Sequence, residues 1–160
     1  MQILLFAATV LIGFSKANHS FAQCTNSSAF GSVAAPAGTG ITTISTCSYL
    51  SEYSTVSSVV AGNRYVVTNN AAGSFITIRF GTFNGTVVAA GFSPLQFTAP
   101  CAGTYFAHWN VNSACATASS CTVTTISCVS CGATNGNQCA NASQFVTATA
   151  PTAGTTTIST

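Results

Sequence analysis

Apolar and polar residues alternate with a period of two along most of the chain after its first twenty-odd residues, and the alternation is punctuated by turn residues. Tyr53 to Val60 is β-branched and alternating, and it stops at Ala61-Gly62-Asn63. Arg64 to Thr68 follows, with Tyr65 and Val67 on one face and Arg64 and Thr68 on the other. Phe75 to Phe80 sets Ile76, Ile78 and Phe80 toward a core and Arg79 outward. Asn84-Gly85, between Phe83 and Val87, is a type I′ hairpin signal, because both central residues of that turn take positive φ. Val87 to Ala90, Leu95 to Thr98, Thr104 to Val111 and Thr122 to Cys128 are further strands, the third carrying Tyr105, Ala107, Trp109 and Val111 on one side. With Ile41 to Thr46 they make about eight short strands and no sustained helical period, which predicts an all-β, antiparallel β-sandwich of jelly-roll-like kind.

Cysteine usage adds a staple to that picture. The N-terminal run Ile3 to Phe14 is followed by Ser20-Phe21-Ala22, the pattern of a signal peptide over 1–22, too short to span a bilayer as a helix. Eight cysteines in an exported chain then imply disulfides and a secreted or cell-surface location. The expected pairs are Cys115 with Cys121, a short clip, and Cys47 with Cys128, which would join the first core strand to the last. Partners for Cys24, Cys101, Cys131 and Cys139 stay open.

Charge narrows the function. Beyond the signal the only formally charged side chains are Glu52, Arg64 and Arg79. Two arginines cannot neutralise a phosphate backbone, so nucleic acid is excluded as a partner, and no later apolar run is long enough for membrane insertion. Solubility has to rest on Thr, Ser, Asn and Gly, which suits a unit held in a surface array.

The chain also repeats itself. Cys139 to Pro151 runs parallel to Cys24 to Pro36, with Cys, Asn, Ser, Phe, Ala and Pro at matched places; after a one-residue gap, Thr156 to Thr160 copies Thr42 to Thr46. The expected organisation is a connector and first strand over 23–46, a sandwich core over 47–131, and a linker with the truncated start of a second repeat over 132–160.

The run from Cys47 to Val56, Val60 to Tyr65, Phe75 to Ile78, Phe97 to Pro100 with Gly103-Thr104-Tyr105, and Asn112 to Cys121 resembles a tandemly repeated domain of large secreted surface proteins of Bacteroidetes, cargo of the type IX secretion system. A fold-level likeness extends to the pre-peptidase C-terminal-type β-sandwich of bacterial secreted peptidases. The resemblance implies a non-catalytic extracellular module acting in adhesion, ligand binding or spacing. The alternatives are an accessory, substrate-binding domain of a secreted hydrolase, or a structural subunit of a filament or sheath.

Candidate chemistry is sparse. A hydrolase triad needs a base oriented by an acid, and only His108 and Glu52 are on offer, with His108 expected on a solvent or edge face, so no enzyme activity is expected. Calcium wants several carboxylates, and Cys128-Val-Ser-Cys131 in an exported chain means a disulfide sooner than zinc, so no metal or cofactor is expected. The remaining candidates for an extracellular glycan or surface ligand are Trp109 and His108 with Asn110 and Asn112, among aromatics that include Tyr49, Tyr53, Phe92 and Phe106; core burial is the stronger reading for Trp109. Thr42 to Thr46 and Thr122 to Thr125 offer a flat array, although threonine is also simply a good strand former. Neighbouring repeats are the other expected partner.

Overall fold

The computed structural model describes residues 23–132. The strands are β1 (Ser28–Ala34), β2 (Gly40–Ser48), β3 (Glu52–Val59), β4 (Arg64–Asn69), β5 (Phe75–Phe80), β6 (Thr86–Phe92), β7 (Leu95–Thr98), β8 (Gly103–Asn110) and β9 (Thr122–Ser130). They form a five-stranded sheet, β1-β3-β8-β5-β6, facing a four-stranded sheet, β2-β9-β4-β7. Every pairing is antiparallel except β1 with β3. The protein is an all-β sandwich held by disulfides.

Period-two alternation fixes which side chains meet between the layers. Val56, Ile76, Ile78, Tyr105, Ala107 and Trp109 from the larger sheet pack on Ile44, Tyr65, Val67, Phe97 and Ile126 from the smaller. Tyr105 sits at the middle of this layer, against Phe80 at 5.1 Å and Phe97 at 5.7 Å between ring centroids. Its hydroxyl donates to the Cys101 carbonyl at 2.8 Å, and burial pushes its pKa up to about 12.

Three expectations are corrected. First, the segment 23–46 is not a connector, because Ser28–Ala34 is an edge strand of the larger sheet and residues 24 to 27 lie across that sheet's outer face. Second, the Asn84-Gly85 turn is not type I′. The Gly85 N–H donates to the Thr82 carbonyl at 2.9 Å, so Phe83 and Asn84 are the central residues, and the positive φ falls on Gly81. Gly85 is needed for closeness instead, since a Cβ there would overlap the Phe80 carbonyl oxygen.

Third, both expected cystine pairs give way to others. The structure joins Cys24 to Cys115, Cys47 to Cys121 and Cys128 to Cys131, and Cys101 is disulfide-bonded as well. Register explains the change. In the β2–β9 ladder Ser48 lies opposite Thr122 and Gly40 opposite Cys128. Cys47 is therefore beside Cys121, with Cα atoms 4.3 Å apart, and about 20 Å along the strand from Cys128, beyond reach of a disulfide. Cys115 is turned back over the end of β8 by the Asn112 side chain, which accepts from the Ala114 and Ala116 N–H groups, and this puts it 5.4 Å from Cys24. The spacing Cys128-Val-Ser-Cys131 does make a disulfide, as compartment chemistry argued. The expectations for 1–22 and for the residues after Gly132 lie outside the described residues.

Candidate functional site

Side chains of β3, β5 and β8 that point away from the core make a second buried layer on the outer face of the larger sheet. Thr77, Arg79, His108 and Asn110 all belong to it and all are buried. What covers them is the strap Gln23–Ser27 on one side and the β5–β6 turn on the other. The strap is fixed along its length. Cys24 donates its N–H to Thr77 Oγ1 at 3.1 Å and is tied to Cys115. Asn26 donates its N–H to His108 Nδ1 at 2.9 Å, and its side-chain Nδ2 donates to the Glu52 carbonyl at 2.7 Å and the Trp109 carbonyl at 2.9 Å. Asn110 Nδ2 returns a bond to Asn26 Oδ1 at 3.3 Å and donates to the Cys115 carbonyl at 3.4 Å.

Arg79 grips the start of the strap. Its Nη2 donates to the Thr25 hydroxyl and, at longer range, to the Cys24 and Gln23 carbonyls, while Nη1 donates to the Gly85 carbonyl at 2.7 Å. No ion pair to this guanidinium occurs among the described residues. Backbone carbonyls carry its charge, and burial lowers its pKa from the ordinary value. At the turn, Phe83 stacks on Tyr53 with centroids 5.4 Å apart, and Tyr53 leans on the His108 ring at the same distance.

His108 is the titratable group at the centre. It was expected on a solvent or edge face, yet β8 is the middle strand of five and the ring is fully buried. Nδ1 accepts from Asn26, so the neutral ring carries its proton on Nε2. Nε2 makes no hydrogen bond of good geometry and faces the Phe83 backbone. Burial pulls the pKa down to about 4; the Phe83 backbone opposes this, and the charge on Arg79 adds to it. A nucleophile–base pair is not built here, because the base nitrogen is occupied by a backbone amide. Glu52, the acid, spends its carboxylate on the Tyr49 N–H at 2.8 Å. Among the described residues no group of His, Cys, Asp and Glu is placed to hold a metal.

The four residues proposed as a ligand platform are not brought together. Trp109 faces the core, where its indole Nε1 donates to Ser54 Oγ at 2.9 Å, and Ser54 donates to the Phe30 carbonyl at 2.6 Å. His108 and Asn110 lie on the opposite side of the same strand under the strap, and Asn112 is exposed but engaged in its turn. Burial of Trp109 is what alternation on a central strand dictates. Of the other aromatics, Phe92 is on β6 at one edge of the larger sheet and Phe30 on β1 at the other, so they share no patch.

No family model matches this chain, and no curated protein matches it. Among solved structures it is similar to a periplasmic inhibitor of g-type lysozyme, PliG, from Aeromonas hydrophila. That likeness has 11% sequence identity, a TM-score of 0.47, and coverage of 63% of this chain and 97% of that one. A likeness at that level carries no argument about this chain.

The threonine array is half realised. Thr122 and Thr124 of β9 are buried, whereas Thr43, Thr125 and Thr68 stand in one row across β2, β9 and β4 on the outer face of the smaller sheet. Thr68 and Thr125 hydroxyls are 2.6 Å apart. Ile41, Ser127, Val66 and Gln96 form the next row, and Arg64, the formally charged residue of this face, precedes Val66 on β4 and lies opposite Thr98. Sequence reasoning missed Asn26, Thr77 and Arg79; the available signals were a lone cation inside a strand and an asparagine repeated at 141.

Proposed function

We propose that this chain is a repeat module of a secreted, cell-surface protein that works by binding or by spacing other modules rather than by catalysis. One observation carries the reading. Residues 139–160 restate, with one residue fewer, the stretch 24–46, which here supplies the strap, β1 and most of β2. A sequence that restarts at the strap is starting another sandwich. Support also comes from the disulfides, which form and persist in oxidising compartments. In this reading the surface offered to a ligand or neighbour is the open outer face of β2, β9 and β4, with its threonine row.

The test is a short stretch of coding sequence. The codon after Thr160 should encode cysteine, the counterpart of Cys47, and the frame should continue with a second set of strands; a different residue and no further unit would end the proposal. A filament or sheath subunit is the second reading, favoured by a surface with almost no charge to oppose self-association. Sedimentation of the purified protein over a concentration series separates the two: a module stays monomeric, and a filament subunit polymerises.

A further inference from the structure

The layer beneath the strap has hydrogens to donate and too few groups to take them. Thr77 lies opposite His108 in the β5–β8 ladder, and Arg79 follows Thr77 on the same outward face of β5. Thr77 and His108 are 0% exposed and Arg79 is 8% exposed. Thr77 Oγ1 accepts from the Cys24 N–H, and its own O–H has no acceptor among the described residues. The Arg79 Nε–H and the His108 Nε2–H have none there either. The three groups look toward one place. His108 Nε2 faces the Phe83 backbone, and Arg79 Nη1 donates to the Gly85 carbonyl of the same turn. Opposite side chains on one face of a sheet have Cβ atoms about 4.5–5.5 Å apart and diagonal ones about 7–8 Å, a span that one small ion bridges.

Charge points the same way. Arg79 brings a positive charge into this layer without a carboxylate, since Glu52, the single acidic side chain of the sequence, bonds the Tyr49 N–H. A buried ion loses its hydration and needs a partner of opposite sign. The Gln23, Cys24 and Gly85 carbonyls and the Thr25 hydroxyl serve Nη1 and Nη2, which leaves Nε. A water molecule at the three donors would accept two hydrogens and add two of its own. An anion accepts all three and adds none.

We propose that Thr77, Arg79 and His108 form a binding site for one small inorganic anion of halide size, held by the Thr77 O–H, the Arg79 Nε–H and the His108 Nε2–H. Its size follows from the cover. The strap Gln23–Ser27 crosses one side of the site, and the turn that stacks Phe83 on Tyr53 closes the other, so a peptide carboxylate or an acidic sugar does not reach the donors. The ion ties β5 to β8 and neutralises the guanidinium that grips the strap. This site owes nothing to the repeat reading.

The experiment uses the purified full chain and chloride itself. Thermal midpoints are read in sodium chloride and in sodium gluconate at equal ionic strength. Chloride should raise the midpoint saturably, by about 10 °C at a roughly hundredfold excess over half-saturation, and gluconate should not. Identical midpoints in the two salts would overturn the proposal. Crystals grown in sodium bromide should show an anomalous peak beside Arg79 Nε, Thr77 Oγ1 and His108 Nε2; a water molecule there instead of the halide would refute it. Thr77→Val removes one donor and keeps the shape, so half-saturation should need about tenfold more chloride, while Thr77→Ser restores the wild-type value. Equal half-saturation in folded Thr77→Val counts against the site, and the bromide measurement on the wild type decides the matter if that variant does not fold.

Discussion

The outer faces of the two sheets solve the same problem in opposite ways. On the larger sheet, β3, β5 and β8 turn outward a histidine, an arginine, an asparagine and a threonine, and the chain covers them with its own first residues and a phenylalanine from a turn. On the smaller sheet, β2, β9 and β4 turn outward Thr, Ser, Val and Ile, and nothing in the described residues lies over them. A covered polar face must have its hydrogen bonds completed by protein, because an unpaired buried donor or acceptor costs about 1 to 3 kcal/mol. An open face of hydroxyls leaves that work to water. One face is therefore part of the fold, and the other is free to vary or to bind.

The sharpest way to break this contrast is to release the cover. Replacing Cys24 and Cys115 together by alanine removes a closure between residues 91 apart in sequence, and urea denaturation should show a loss of about 4 kcal/mol. A loss below about 1 kcal/mol would mean that the strap is held by its hydrogen bonds alone. Asn26→Ala keeps the backbone N–H that serves His108 Nδ1 but removes the side-chain donor to the Glu52 and Trp109 carbonyls and the acceptor for Asn110 Nδ2, and should cost about 2 to 3 kcal/mol in the same measurement.

Acid provides a gentler probe of the same face. His108 is held neutral with its pKa lowered to about 4 in the folded protein, below the ordinary 6.5 of the unfolded chain. Between those values the unfolded state binds more protons, so stability is complete above about pH 6.5 and falls as the pH drops toward 4. His108→Asn should flatten that slope, as read by thermal midpoints across the window; an unchanged slope would assign it elsewhere. Smallest of all, Thr125→Val on the open face should move stability by no more than about 0.5 kcal/mol, since water takes the place of the lost hydroxyl as partner of Thr68. A larger loss would show that the threonine row supports the sheet.

How much of this was legible in the sequence depended on whether the information was local. Alternation in Arg64 to Thr68 and in Phe75 to Phe80 assigns faces correctly, because period two is a property of the strand itself. The direction of Arg79 was readable in the same way; its burial was not, since that depends on residues 54 to 56 positions earlier. β1 was hidden for a related reason. Ser28 to Ala34 is poor in large apolar residues and mostly exposed, and it is a strand only because β3 pairs with it in parallel. The Cys47–Cys121 pairing follows the register of β2 on β9, which no spacing of cysteines encodes. The Asn84-Gly85 signal identified a real reversal between β5 and β6, but crowding by the Phe80 carbonyl, not a left-handed backbone, is what demands the glycine.

The closure from Cys24 to Cys115 also sets an order of events. A polypeptide delivered from its N-terminus presents Cys24 first and must wait for β8 and the turn after it before Cys115 arrives, and Cys121, the partner of Cys47, emerges later still. Both long-range locks thus close only when most of the unit has emerged, so an oxidant that acts on the earliest thiols alone, joining Cys24 to Cys47, would trap the unit before it can assemble.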